Sequence, residues 1–264
     1  MSSDRLTALI TGAGSGIGYE TARLLQEKGW EVWDLSRRDR CPQGVKHMSC
    51  DIADESTVKT CVNCIASASG HIDLLINNAG CGISGAAEFT DAEDSARMMG
   101  VNLFGTDNVT RAVIPHMRAN GSGRIIFISS AAAIFAIPFQ AWYSASKFAI
   151  NAYALALRNE LAPFKIDVCA LMPGDIRTGF TASRVKSSAG SEIYGGRIEK
   201  AVGAMERDEQ NGLSPEYAAQ RILKTVYAKK PKPLSCIGFK YSVFAVINKI
   251  LPIRIVNFLV GKLY

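Results

Sequence analysis

Histidine is scarce in this chain. Its 264 residues include only three, at positions 47, 71 and 116, and they stand at no metal-ligand spacing. No metal centre is expected. Cys61 and Cys64 form a single CxxC inside a predicted helix, with no second pair and no nearby histidine, which argues against zinc and against a redox motif. The seven cysteines are odd in number and scattered without the pattern of a disulfide scaffold. The segment "MSSDRLTALITG" lacks the charged start, apolar stretch and cleavage site of an export signal. Reduced thiols in the cytoplasm are then the simpler expectation. No repeat is visible, and no stretch reads as a linker between domains.

Carboxylates are missing from one end. From Arg221 onward there are nine Lys/Arg and no Asp or Glu, leaving 21 basic and 24 acidic residues elsewhere. The net charge of +6 is therefore local to the C-terminal end. Such a segment attracts an acidic substrate or an anionic membrane surface, or forms a solvated oligomer rim. Nucleic acid is not expected, because the segment is apolar rather than polar and glycine-rich. Hydrophobic residues make up 48% of the chain, enough for the core of one large α/β domain.

Short apolar runs alternate with helical patterns. Strands are predicted at 6–11, 31–36, 44–50, 72–77, 123–130 and 165–173, with "PLSCIG" as a last one. Helices are predicted over 16–28, 54–68, 101–119 and 141–162. This alternation predicts a parallel sheet covered on both faces. Residues 174–212 are rich in Gly, Ser and charge, with helical stretches near 179–187 and 192–208, and read as a substrate lid. A further helix starts at Ser214, with Pro215 at its first position and Glu216 in its first turn.

Two motifs carry chemistry. The first strand runs into "TGAGSGIG", with Gly12, Gly16 and Gly18 in a turn ahead of a helix. Glycines there let the backbone approach a pyrophosphate, and the helix N-terminus faces it with free N–H groups. In "AWYSASKF", Tyr143 and Lys147 are one helical turn apart and share a face. A lysine cation beside a tyrosine lowers the phenol pKa and makes an acid/base pair. The alternative is an aromatic ring resting on a lysine stem.

TGxxxGxG at 11–18, "NNAG" at 77–80, Asn102 opening a helix, Ser130, YxxxK at 143–147 and "PGDIRT" at 173–178 occur in this order. Together they make the chain, to about residue 238, resemble the short-chain dehydrogenase/reductase family. The resemblance implies one Rossmann-like α/β domain with a doubly wound, seven-stranded parallel sheet, spanning 1–238. It implies that Tyr143 gives or takes the substrate proton and that Ser130 polarises the substrate oxygen. Lys147 is implied to lower the pKa of Tyr143 and hydrogen-bond the nicotinamide ribose, and Asn102 to hold a water reaching Lys147. The implied dinucleotide surface includes Gly14, Ser15 and Ile17 in the turn and Asp51 and Ile52 after the third strand. It continues through Asn78, Ala79 and Gly80, and through Pro173, Gly174, Ile176 and Thr178. At the end of the second strand Ser36 leaves room for a 2′-phosphate, and Arg37 and Arg38 can pair with it, which favours NADP(H). Asp34, two residues earlier, would favour NAD if it reached the ribose. A homodimer or homotetramer is implied as well.

The loop before Tyr143, "AAAIFAIPFQAW", places Ile134, Phe135, Ile137, Phe139 and Trp142 as candidates for an apolar pocket, about half of them as ordinary core. Phe180 is expected to close over it. The substrate expected is a lipophilic ketone or secondary alcohol, of hydroxysteroid or bile-acid type first. A 3-oxoacyl, acyl-glycerone or retinal-type reductase is the alternative, and a non-catalytic NADPH-binding regulator the rival from another class. The segment 239–264 is apolar, basic and interrupted by Pro252. It is expected to pack on the same domain and to wall the substrate mouth or lie on a membrane surface without crossing it, with plain packing against the sheet or a partner subunit as the alternative.

Overall fold

Buried strands need both faces covered, and the alternation of the sequence meets that need here. The computed structural model describes residues 5–264. Residues 1–4, part of the segment read above for an export signal, lie outside the described residues. The first half builds β1 (Thr7–Thr11), α1 (Gly16–Glu27), β2 (Glu31–Ser36), β3 (Lys46–Ser49), α2 (Glu55–Ser69) and β4 (Leu74–Asn77). A two-residue β5 (Ile83–Ser84) precedes α3 (Ala92–Met99), a π-helical turn (Gly100–Gly105) and α4 (Thr106–Asn120). Then come β6 (Gly123–Ile128), α5 (Ala141–Leu161), β7 (Ile166–Pro173), α6 (Phe180–Ser183), β8 (Val185–Lys186) and α7 (Arg197–Gln210). The chain closes with α8 (Pro215–Val226), β9 (Leu234–Ile237), α9 (Phe239–Ile250) and α10 (Ile253–Leu263).

Seven strands form one sheet in the order β3-β2-β1-β4-β6-β7-β9, every pair parallel. Alternate residues of each strand serve opposite faces. Leu9, Leu75, Phe127 and Val168 pack against α2, α4 and α5, while Ala8, Ile76, Ile126 and Leu171 pack against α1 and α8. Burying each such Leu, Ile or Phe contributes about 1.5–3 kcal/mol, so both layers are needed to hold the sheet. Strand order reverses between β1 and β4, and the crevice beyond the strand ends at that point is where open sheets of this kind bind ligands.

Three expected elements differ. The helix predicted to begin at 101 is preceded by α3, and the two join through the π turn, so Asn102 lies inside a helical run rather than at its start. The helix predicted over 179–187 shrinks to Phe180–Ser183, because the chain then turns extended and Val185–Lys186 pairs with β5. The helix predicted over 192–208 starts later, at Arg197, behind Gly195 and Gly196 with positive φ.

Candidate active site

A cleft of about 670 Å³ lies over the C-terminal ends of β1, β2, β4, β6 and β7. Its floor is the glycine turn. Gly12 has φ +72°, and a Cβ there would stand 3.2 Å from the Ala79 backbone. Gly16 has φ +57°, a conformation that favours glycine. Ser15 caps α1 without a side-chain hydrogen bond, and no acidic residue sits in the first turn. The N-terminal N–H groups of α1 thus face the cleft ready for an anion. Gly12, Ser15, Gly16 and Ile17 line the cleft. Gly14 and Gly18 do not; a Cβ at Gly18 would collide with the Asn78 amide and the Gly12 carbonyl, so this glycine lets α1 close on β4.

Asn78 has a similar supporting part. Its Nδ2 donates to the carbonyls of Thr11 and Gly12, both at 3.0 Å, and Thr11 Oγ1 accepts from the N–H of Asn78 and Ala79. "NNAG" therefore ties the end of β4 to the glycine turn. Ala79 and Gly80 also line the cleft, as do Asp51, Ile52, Pro173, Gly174, Ile176 and Thr178.

Asp34 is fully buried. One oxygen accepts from the N–H of Ala13 at 2.7 Å; the other accepts from Ser36 Oγ at 2.7 Å and stands 3.0 Å from His47 Nδ1. It is used up inside the fold, which removes the NAD-favouring contact that the sequence had left open. Arg37 and Arg38 line the outer end of the cleft, joined by Arg40, and no carboxylate pairs with any of them among the described residues. Three free guanidinium groups fit a phosphorylated ribose. Arg40 follows in the same basic run as Arg37 and was missed, because nothing in the sequence shows the turn bending back. Arg97, from α3, also lines the cleft while paired with Asp94 at 2.5 Å, and carried no sequence signal.

The candidate acid/base groups converge from two elements. Ser130 ends the loop after β6, and its Oγ accepts from the N–H of Ala132 at 3.1 Å. Tyr143 and Lys147 come from the first turns of α5, with the Lys147 ammonium 5.8 Å from the Tyr143 ring centre. Lys147 is buried and donates to the Ile128 carbonyl at 3.0 Å. Burial pushes its pKa down to about 8. Burial raises the Tyr143 phenol above its ordinary value, and a hydrogen bond with Ser130 pulls it back. The expected lowering of Tyr143 by Lys147 is thus corrected: the ammonium is turned to Ile128, and desolvation dominates. A raised phenol is protonated at neutral pH, the form that donates a proton to a carbonyl oxygen.

Asn102 is buried, with Oδ1 accepting from the N–H of Cys81 at 2.8 Å and Nδ2 donating to the Cys81 carbonyl at 2.9 Å and to Ser146 Oγ at 3.1 Å. It clamps the chain after "NNAG" to α5. A Cβ at Gly80 would stand 3.2 Å from Asn102 Oδ1 and 3.6 Å from Lys147 Nζ, so the three positions meet.

Phe135 and Ile137 line the substrate half, and the Phe180 ring lies 5.7 Å from that of Tyr143. Trp142 does not line the cleft and is 40% exposed. It precedes Tyr143 on α5, and one helical step of about 100° turns it away. Ile134 is buried beside Met172 in a small separate cluster, and Phe139 packs edge-on against Tyr194. The sequence missed Asp175 and Glu209, which line the same half. Glu209 accepts from Thr181 Oγ1 at 2.5 Å and pairs with the buried Arg184. Asp175 accepts from the Tyr241 hydroxyl, and burial raises its carboxyl.

The family model described as short chain dehydrogenase matches residues 6–189. The chain belongs to the short-chain dehydrogenase family. This dehydrogenase is 40% identical over 233 residues to a 3-ketodihydrosphingosine reductase of Bacteroides thetaiotaomicron, with 87% of each chain covered. It is 31% identical to dehydrogenase/reductase SDR family member 7B of Xenopus tropicalis, covering 96% of this chain and 84% of the relative. Among solved structures it resembles a short-chain dehydrogenase from Streptomyces avermitilis, with a TM-score of 0.83, 27% identity and coverage of 94% and 93%. Another, from Burkholderia cenocepacia and solved in complex with NADP, gives a TM-score of 0.75 at 27% identity, with 95% of each chain covered. The protein is an oxidoreductase of this family with a single Rossmann-like sheet. When bound, a nicotinamide dinucleotide supplies the hydride for carbonyl reduction or accepts it from an alcohol. The glycine turn would hold its pyrophosphate, Arg37, Arg38 and Arg40 its phosphorylated end, and Lys147 its inner ribose.

Proposed function

We propose that the enzyme is an NADPH-dependent reductase that converts a ketone on a long-chain lipid to a secondary alcohol. The observation that carries this reading is the two-ended cleft. Unpaired arginines stand at one end, and Tyr143 with an apolar wall of Phe135, Ile137, Phe180 and Met205 at the other. Tyr143 donates its proton to the carbonyl oxygen, and Ser130 holds that oxygen in place. Asp175 beside the apolar wall, with one oxygen left by its bond from Tyr241, suits an ammonium group near the ketone, whereas Glu209 is neutralised by Arg184. The 40% identical relative, a 3-ketodihydrosphingosine reductase, supports a lipid ketone over a steroid.

The test is NADPH consumption with 3-ketodihydrosphingosine, a 3-oxoacyl thioester, a keto-steroid, a keto-bile acid and retinal. The long-chain amino ketone is expected to show the highest kcat/KM. A tenfold preference for the keto-steroid would return the enzyme to the hydroxysteroid reading, and no turnover of any ketone would favour a regulator. Cofactor choice has its own check. Charge-assisted hydrogen bonds are worth about 1.5–3 kcal/mol, so Arg37→Ala should weaken NADPH about 10-fold or more and leave NADH nearly unchanged. Equal losses, measured by fluorescence titration, would assign Arg37 to shaping the turn.

A further inference from the structure

Helices α9 and α10 are apolar on two sides. On α9, Tyr241, Phe244, Ala245 and Asn248 recur at helical spacing and face inward. Tyr241 and Ala245 pack by Ile134 and Met172, and Asn248 Nδ2 donates to the Ile134 carbonyl at 3.0 Å. On α10, Val256 and Val260 are buried. That inner side accounts for the packing. The outer side remains. Opposite the inner side lie Phe239, Val246 and Ile250 on α9 and Ile255, Phe258 and Leu259 on α10, between 46% and 85% exposed, on two helices joined at Leu251 and Pro252.

Charge selects what covers this outer side. Residues 239–264 carry Lys240, Lys249, Arg254 and Lys262 and no carboxylate. On the outer side Lys262 lies 5.7 Å over the ring of Phe258, and Lys240 stands at the border between the two sides, over the rings of Tyr241 and Phe244 at 5.6 and 5.8 Å. Their ammonium groups therefore rise from beside apolar side chains, as amphipathic cations do at a lipid headgroup boundary. A second copy presenting the same face would bring four more cations against these four. An anionic bilayer brings the opposite charge. No helix among the described residues is long and apolar enough to cross a membrane, so contact is along the surface.

The same helices reach the reaction cleft, because Tyr241 and Tyr264 line it. We infer that α9 and α10 lie on an anionic membrane surface with their outer side in the headgroup region and hold the cleft mouth against it. The lipid ketone then enters from the bilayer, a consequence that rests on the reading above, whereas the docking itself does not.

The test is flotation of the full chain with vesicles of phosphatidylcholine containing about one-third phosphatidylglycerol, against phosphatidylcholine alone. The chain should float with the anionic vesicles and release at high salt. Ile250→Ser/Ile255→Ser/Phe258→Ser and, separately, Lys249→Glu/Arg254→Glu should each lower the bound fraction about tenfold or more while NADPH still binds. NADPH binding shows that each variant is folded. Failure of the parent chain to float, or equal flotation of both variants, overturns the inference. So does a parent dimer that the serine variant converts to monomer in light scattering, since a second copy would then cover the face. Flotation needs no turnover, so a failed substrate panel leaves this result readable.

Discussion

Tyr143→Phe should lose at least about 100-fold of kcat while NADPH affinity stays within about twofold, because a positioned general acid is typically worth 10²–10⁴. The ring remains to pack against Phe180, so the cleft keeps its shape. What goes is the hydroxyl, and with it the transferable proton. The check is stopped-flow NADPH oxidation beside a binding titration. More than a tenth of the parent rate would remove Tyr143 from the acid role. An equal fall in NADPH affinity would mean that the hydroxyl shapes the dinucleotide site instead.

Lys147→Met should be inactive and yet more stable at pH 7. The lysine is buried and its pKa falls from 10.5 to about 8. A lowered lysine means that the folded chain resists the charge. Below about pH 8 both states are protonated and the folded state bears the full penalty. Between about 8 and 10.5 the folded lysine gives up its proton and the penalty fades. At 1.36 kcal/mol per unit the penalty is ~3 kcal/mol, and losing the bond to the Ile128 carbonyl offsets ~1 kcal/mol of the gain. The net of ~2 kcal/mol corresponds to a rise in Tm of roughly 5 °C for a domain of this size. Melting curves of both proteins at pH 7 and pH 10 should show the gap narrowing at the higher pH. A variant that melts below the parent at pH 7 would mean that hydrogen bonding, not charge burial, dominates at this position. A site that lowers stability in this way is what chemistry at a buried cation requires.

Much of the dinucleotide half was legible in the sequence, because its demands are local. A positive φ at Gly12 and at Gly16 calls for glycine, and the basic run after β2 shows its charge directly. The substrate half was less legible. Asp175 and Glu209 meet only because α7 folds back over the cleft, and nothing near Tyr143 in the chain announces them. Trp142 was misjudged because adjacency in sequence is divergence on a helix. Asn102 was assigned to a helix start because a π turn has no compositional mark of its own. The pKa of Tyr143 was misread for a related reason: a sequence shows which charges are near in the chain but not how much water is removed.

The buried Asp34 also limits how this enzyme can change. The most direct substitution toward NADH would place a carboxylate at Ser36, where an acidic side chain can hold a free ribose hydroxyl. Ser36 Oγ, however, stands 2.7 Å from an Asp34 oxygen, so two carboxylates would share one site and one would retain a proton. That proton would cancel the intended gain and disturb the grip of Asp34 on the glycine turn. The route that leaves the fold intact begins by losing arginines from the outer end. A lineage passing that way crosses an intermediate weak for both cofactors, which makes its present preference hard to reverse one step at a time.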